Sequence, residues 1–326
     1  MGDCVRGGAR TKVLFPRWAA VLLGGVLLCA IPARAGVYYV TVAGLGGEPD
    51  YEQRFTALAK DLDKLLKSSG SDAHVYTLTG EQATRAHLTE TMATVAKEAK
   101  TDDDFVLILI GHGTFDGAEY KFNLPGPDIS AAELAALCDH IPAKRQLIVN
   151  TTSASGGSLA AFQKQGRAVV AATKSGTEKN ATVFARYWVD ALRDPTADVN
   201  KDDAISALEA YEFAARKTAE FYDSQKRLAT EHPVFEDAGK GEAVREPSTA
   251  SGEGLLVSGF TLVRIGEAQR AAADPAKRDL LAKKEELERK IDILKYQKAA
   301  MAEQDYKKQL TDALVELARI QEELDK

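Results

Sequence analysis

Phe105-Val-Leu-Ile-Leu-Ile110 runs directly into Gly111-His112-Gly113, and further along Gln146-Leu-Ile-Val149 runs into Asn150-Thr-Thr-Ser153-Ala-Ser-Gly-Gly157. An apolar run this short, bounded by acids on one side and glycine on the other, suits a strand buried on both faces of a parallel sheet. Outward from it, β-rich runs occupy 37–45, 74–78 and 168–173, and helical periodicity occupies 51–67, 82–99, 131–140, 158–165 and 181–193. Strand and helix in alternation predict an α/β fold, a mostly parallel sheet with helices on both faces. The Gly/Pro-rich excursion 113–127 reads as a hairpin, and 206–222 as a further helix. Charge, Gly, Pro and Ser dominate 224–253, which reads as a long loop before a last strand-like run at 254–264.

Ligands of an open α/β sheet bind beyond the carboxyl ends of its strands. If the two strands are neighbours, His112 and Ser153 emerge side by side. A base beside a hydroxyl, next to glycines with exposed amides, is the arrangement that acyl transfer needs. These residues resemble the motifs of the legumain and caspase cysteine peptidases (clan CD, C13-type) and of the glycolipid-anchor transamidase catalytic subunit. Those proteins carry an apolar strand ending in His-Gly and a second ending in Ala-Cys-x-Ser-Gly. The resemblance covers roughly residues 36–223. It implies a caspase-like fold with His112 as catalytic histidine, Gly113 as oxyanion glycine and Ser153 at the nucleophile position. Thr152 falls on the small residue before the nucleophile, and Ser155-Gly156 on the Ser-Gly after it. The strand 169–173 and the loop 174–180 then match one wall of the family's primary specificity pocket.

Serine stands where that family has its cysteine. A hydroxyl is far less acidic than a thiol and needs a tightly bonded base oriented by a third group. Asp104, Asp116 and Asp128 are the candidates for that group, and Thr151 and Thr152 are neighbouring hydroxyls that a one-residue shift would make the nucleophile. Two readings follow. The favoured one is a pseudopeptidase scaffold whose cleft holds a peptide or protein ligand. The alternative is an active endopeptidase or transpeptidase with Ser153 as nucleophile and His112 as general base. His74, His87 and His140 read as structural, whereas His232 lies in a loop from which it can approach the cleft. Cys138, on an Ala/Leu-rich helix, reads as a small core residue.

An acidic stretch carries a second, independent signal. Asp198-Val-Asn200-Lys-Asp202-Asp203-Ala204-Ile205-Ser206-Ala-Leu-Glu209 matches the calcium loop of EF-hands. Asp198, Asn200, Asp202, Ser206 and Glu209, with the Ala204 carbonyl, are the expected Ca2+ ligands, and a helix follows directly. Position 6 departs from the pattern, with Asp203 in place of glycine. From 276 to 326 Lys, Glu, Leu and Ala take over, with no Gly or Pro. Leu280, Leu287, Ile291, Leu294 and Met301 form one set at spacings of three and four. Tyr306, Leu310, Ala313, Leu317, Ile320 and Leu324 form another, and together they predict a coiled coil that associates with itself or with a helical partner. The register slips between Met301 and Tyr306, as a hairpin turn or a stutter requires.

The N-terminus reads as a signal peptide over 1–35: Arg6, Arg10, Lys12 and Arg17, then the apolar run 18–31, then Ala33-Arg34-Ala35 before Gly36. Its removal lowers Lys plus Arg from 42 to 37 and Asp plus Glu from 48 to 47, so the remainder carries −10. That charge argues against nucleic acid or an anionic membrane as partner. Cys4 and Cys29 leave with the leader, so Cys138 has no intrachain partner, and no later segment is long enough to span a membrane. The expected protein is exported, periplasmic or extracellular, with its caspase-like domain at 36–265.

Overall fold

In the computed structural model the described residues are 35–326, except 71, 248, 250 and 251, together with residue 2. The expected signal peptide lies outside them but for residues 2 and 35. Ala35–Lys326 forms one unit. Its strands are β1 (Val37–Ala43), β2 (Ala73–Leu78), β3 (Asp104–Ile110), β4 (Gly113–Phe115), β5 (Tyr120–Phe122), β6 (Ile129–Ser130), β7 (Arg145–Asn150), β8 (Arg167–Ala171), β9 (Ala204–Ser206), β10 (Val234–Glu236) and β11 (Thr261–Arg264). The helices are α1 (Pro49–Ser68), α2 (Arg85–Glu98), α3 (Ala131–Asp139), α4 (Leu159–Phe162), α5 (Phe184–Ala191), α6 (Ala207–Ser224), α7 (Leu255–Ser258), α8 (Gly266–Ala273), α9 (Arg278–Gln297) and α10 (Glu303–Leu324).

The main sheet has the order β10-β8-β7-β3-β1-β2. All neighbours in it are parallel except β10, which runs antiparallel to β8 at the edge. This is the expected fold class. Residues 105–110 lack alternation because both faces of β3 are covered. Val106, Ile108 and Ile110 pack with α1, α5 and α6, while Phe105, Leu107 and Leu109 pack with α2 and α3. The excursion after His112 is the small antiparallel sheet β4-β5-β6, which hangs beyond the carboxyl edge.

Two stretches differ from expectation. The loop 224–253 contains β10, whose Val234-Phe-Glu236 pairs with Val169–Ala171. Three residues are too few to carry a period, so only the pairing defines the strand. The run 254–264 splits into α7 and β11. Gly254, at φ 100, opens the helical turn, and its amide and those of Leu256 and Val257 donate to the Asp237 carboxylate.

The slip between Met301 and Tyr306 marks a turn. α9 and α10 lie side by side and bury Leu287, Ile291, Ala313 and Ile320 between them. Lys277 Nζ donates to the Leu324 carbonyl at 2.6 Å, so the start of α9 meets the end of α10 and the pair is antiparallel. Arg264 of β11 holds the pair to the domain through two bonds to Glu285, at 2.7 and 3.0 Å. No helix among the described residues is long and apolar enough to cross a membrane.

Candidate functional site

β3 and β7 are hydrogen-bonded neighbours with Leu109 opposite Asn150, so His112 and Ser153 leave the same edge of the sheet from adjacent strands. Their side chains take different partners. Ser153 Oγ donates to the Gly113 carbonyl at 3.0 Å and accepts from the Gly113 amide at 3.1 Å. The hydroxyl is therefore satisfied in both roles within a residue only 2% exposed. The amide expected to receive an oxyanion is the one donating to it. Gly113 permits this approach because a Cβ there would stand 2.5 Å from the Ser153 carbonyl oxygen and 2.5 Å from the Tyr120 ring.

His112 packs edge-on against Tyr51 and Phe55 of α1, with ring centroids 4.8 and 5.1 Å apart. Burial holds its pKa below the ordinary imidazole value, against a smaller opposing effect of a hydrogen bond to the Gly46 backbone. None of the three aspartates orients it. Asp104 sits at the opposite end of β3, paired with Arg145 at 3.4 Å. Asp116 caps its own turn at the Ala118 and Glu119 amides, and Asp128 accepts from the Leu124 amide and the Asn123 side chain. His112 thus packs on aromatic rings while Ser153 Oγ bonds to Gly113, whereas a serine nucleophile works with its base at hydrogen-bond distance.

The neighbouring hydroxyls are also bonded within the protein. Thr151 Oγ1 donates to the Leu109 carbonyl, and Thr152 Oγ1 bonds both the Tyr120 hydroxyl, at 2.6 Å, and Asn150 Oδ1, at 2.8 Å. Asn150 Nδ2 reaches Ser158, and the Ser155 hydroxyl bonds Thr173 at the end of the next strand. This buried polar net fastens the end of β7 to the end of β8. Ala154 adopts a left-handed conformation at φ 55, and its amide donates to the Glu178 carbonyl at 2.7 Å. The loop 174–183 is thereby joined to the turn that carries Ser153.

The calcium-like loop has left-handed backbone at Lys201 (φ 63) and at Asp203 (φ 65), the position where the pattern has glycine. Asn200, Asp202, Ala204, Ser206 and Glu209 line one cavity of about 230 Å³, together with α9 residues that include Glu288. The Asp198 carboxylate accepts from the Lys201 and Asp203 amides. Glu209 accepts from the amides of Val199, Asn200 and Ser206 and from the Ser206 hydroxyl. Among the described residues no group of three or more His, Cys, Asp or Glu side chains is arranged to hold a metal ion. The carboxylates of Asp198 and Glu209 are thus turned onto amides of their own loop.

No protein-family model matches the chain, and no curated protein matches it in sequence. Among solved structures it is similar to a Geobacter sulfurreducens protein, at 14% identity and TM-score 0.44, covering 71% of this chain and 100% of that one. It is similar to the Drosophila initiator caspase Dronc, at 13% identity and TM-score 0.39, covering 69% and 84%. It is also similar to caspase-1 from Spodoptera frugiperda, at 13% identity and TM-score 0.42, covering 63% and 86%.

The remaining histidines divide sharply. His74 stacks on Tyr38, His87 bonds the Gln82 carbonyl, and His140 bonds the Ala136 carbonyl at a helix end. Cys138 is buried, and burial pushes its thiol up to about 12, which leaves it inert as a nucleophile. His232 alone makes a paired contact near the site, with Nδ1 2.5 Å from Glu178 Oε1. Glu178 and Glu231 are the residues that sequence reasoning missed. Both are single acids in polar loops, and nothing in their local pattern separates them from solvated ones.

Proposed function

We propose that this protein is an exported, caspase-like pseudopeptidase, a binding scaffold whose ligand contacts form at the Ser153 edge of the sheet rather than through peptide cleavage. The observation that carries this reading is the pair of bonds from Ser153 Oγ to the two backbone groups of Gly113, which occupy the nucleophile and the oxyanion amide together. A peptide or protein segment is the ligand that such an edge suits, and the leader expected over 1–35 supports export. The acidic balance favours a ligand that is not itself strongly anionic.

The test uses a fluorophosphonate probe and a peptide library. Wild type is expected to remain unlabelled and to show no turnover above the His112→Ala control. Ser153→Cys is expected to stay inert as well, because the larger sulfur enters a site whose polar contacts are already at 3.0 and 3.1 Å. Labelling at Ser153 that disappears in His112→Ala would instead establish the hydrolase reading.

Calcium at 198–209 is a separate proposal, supported by the left-handed backbone at 201 and 203 and by the shared cavity. The ion would draw Asp198, Asn200, Asp202, Ser206 and Glu209 together, with the Ala204 carbonyl, and tie the start of α6 to the loop before it. At a dissociation constant of about 10⁻⁴ M, 1 mM calcium stabilises by about 1.4 kcal/mol, a rise in melting temperature of about 2–4 °C. Glu209→Gln, which keeps a capping side chain but loses bidentate binding, should abolish that rise. A melting temperature indifferent to calcium in wild type reduces the loop to an acidic turn.

A further inference from the structure

The loop 174–183 between β8 and α5 is held at its middle and at its far end by two adjacent residues of a different segment. At its middle, Glu178 receives the Lys174 amide at 3.0 Å and the His232 amide at 3.2 Å, and its other oxygen meets His232 Nδ1 at 2.5 Å. At its far end the Glu231 carboxylate accepts from the Val183 amide at 2.7 Å and the Phe184 amide at 3.3 Å. The Tyr222 hydroxyl of α6 donates to the same carboxylate at 3.1 Å. The loop itself closes on the Ser153 turn through the Glu178 carbonyl at the Ala154 amide and Thr182 Oγ1 at the Thr151 carbonyl. Gly156 lies so close beneath it that a Cβ would stand 2.3 Å from the Ser175 nitrogen.

We infer that Glu231 and His232 form a latch that keeps the loop 174–183 shut over the Ser153 turn, and that ligand access to that edge requires the latch to release. The inference deepens the scaffold reading and rests on it for its biological meaning, but the latch itself is measurable without any ligand. Both latch residues also border a cavity of about 450 Å³ between α6 and the segment 245–247, which leaves room behind the latch for the segment 229–233 to move. The Glu231 carboxylate, buried and bonded to the Val183 and Phe184 amides and the Tyr222 hydroxyl, is the group through which the latch responds to pH. Other charged or titratable groups beside it are Lys174 on the loop, Tyr211, Glu212, Arg216, Tyr222 and Asp223 on α6, and Arg245 and Glu246 on the facing segment.

Burial raises Glu231 to about 7, against the lowering effect of its bonds from the Val183 and Phe184 amides and the Tyr222 hydroxyl, with a smaller contribution from repulsion by Glu178. In the open state Glu231 meets water and returns towards the ordinary carboxylate range. The closed state therefore binds a proton that the open state does not, between about pH 4.5 and 7. Closure is favoured as pH falls through that window, and the latch loosens as pH rises.

Hydrogen–deuterium exchange, corrected for intrinsic rates, tests this on the intact chain. From pH 5.5 to pH 8 the wild-type peptides covering 174–183 and 151–157 should lose protection together, by about thirtyfold. Residues 105–110 should be unaffected. Glu231→Gln should remove that pH dependence, and His232→Ala should raise exchange in both peptides at either pH. Protection of 174–183 that is independent of pH in wild type would overturn the latch. So would a loop that opens while 151–157 stays protected, or loss of protection that spreads equally to 105–110. A serine probe that labels Ser153 would refute the scaffold reading while leaving these exchange results intact, so the two failures are distinguishable.

Discussion

Glu231→Gln is expected to make the protein more stable at pH 8 and less responsive to pH. The wild-type carboxyl is 2% exposed and held near 7, against 4.5 in an unfolded chain. A group whose folded pKa is raised stabilises the fold most when protonated, and that advantage is lost as pH climbs from about 4.5 to 7. The full excursion corresponds to about 3 kcal/mol. Glutamine is never charged, so it removes the slope. It keeps an acceptor for the Val183 amide but leaves the Phe184 amide facing its own amino group, at a cost of about 1 kcal/mol. The net gain at pH 8 should therefore be about 2 kcal/mol, with the two proteins crossing near pH 5. Urea melts at pH 5 and pH 8 measure both quantities. A variant no more stable than wild type at pH 8 would mean that Glu231 is solvated in the folded protein.

The second large effect concerns the junction between the domain and the helical hairpin. Arg264 is nearly buried and takes both oxygens of Glu285, with Asp72 further off at 3.9 Å. Glu285→Ala leaves that guanidinium without its main counter-charge and is expected to cost about 3 kcal/mol. A double replacement, Arg264→Met with Glu285→Leu, should recover most of the loss, because no buried guanidinium is then left desolvated without its counter-charge. Thermal melts of the three variants separate the possibilities. If Glu285→Ala melts like wild type, α9 is held to β11 by apolar contacts alone.

Much of the sheet was legible in residue order. β3 and β7 announced themselves because strands buried on both faces must be apolar without alternation, and that pattern needs no partner to be recognised. The His112 and Ser153 edge followed, since a polar residue directly after such a strand has to emerge at its carboxyl end. The turn in the tail was visible as a break in an otherwise regular apolar spacing. β10 was not visible, because three residues inside a polar loop become a strand only when β8 offers an edge. α7 was hidden for a related reason: its first turn is organised by Asp237, which belongs to a distant stretch.

Chain order alone thus determined the α/β architecture, the strand that carries each candidate residue and the edge from which those residues project. These properties follow from local periodicity and from the direction of parallel strands. Only the tertiary structure shows which atoms the candidates contact there. Whether a serine is a nucleophile depends on the atoms within about 3 Å of its oxygen, and here those atoms belong to Gly113 rather than to His112. The same holds for Glu178 and His232, whose separation along the chain conceals a contact of hydrogen-bond length. Hydrogen bonds act over a few ångströms of space, so residues far apart in sequence can make them whenever the fold brings the chain back on itself.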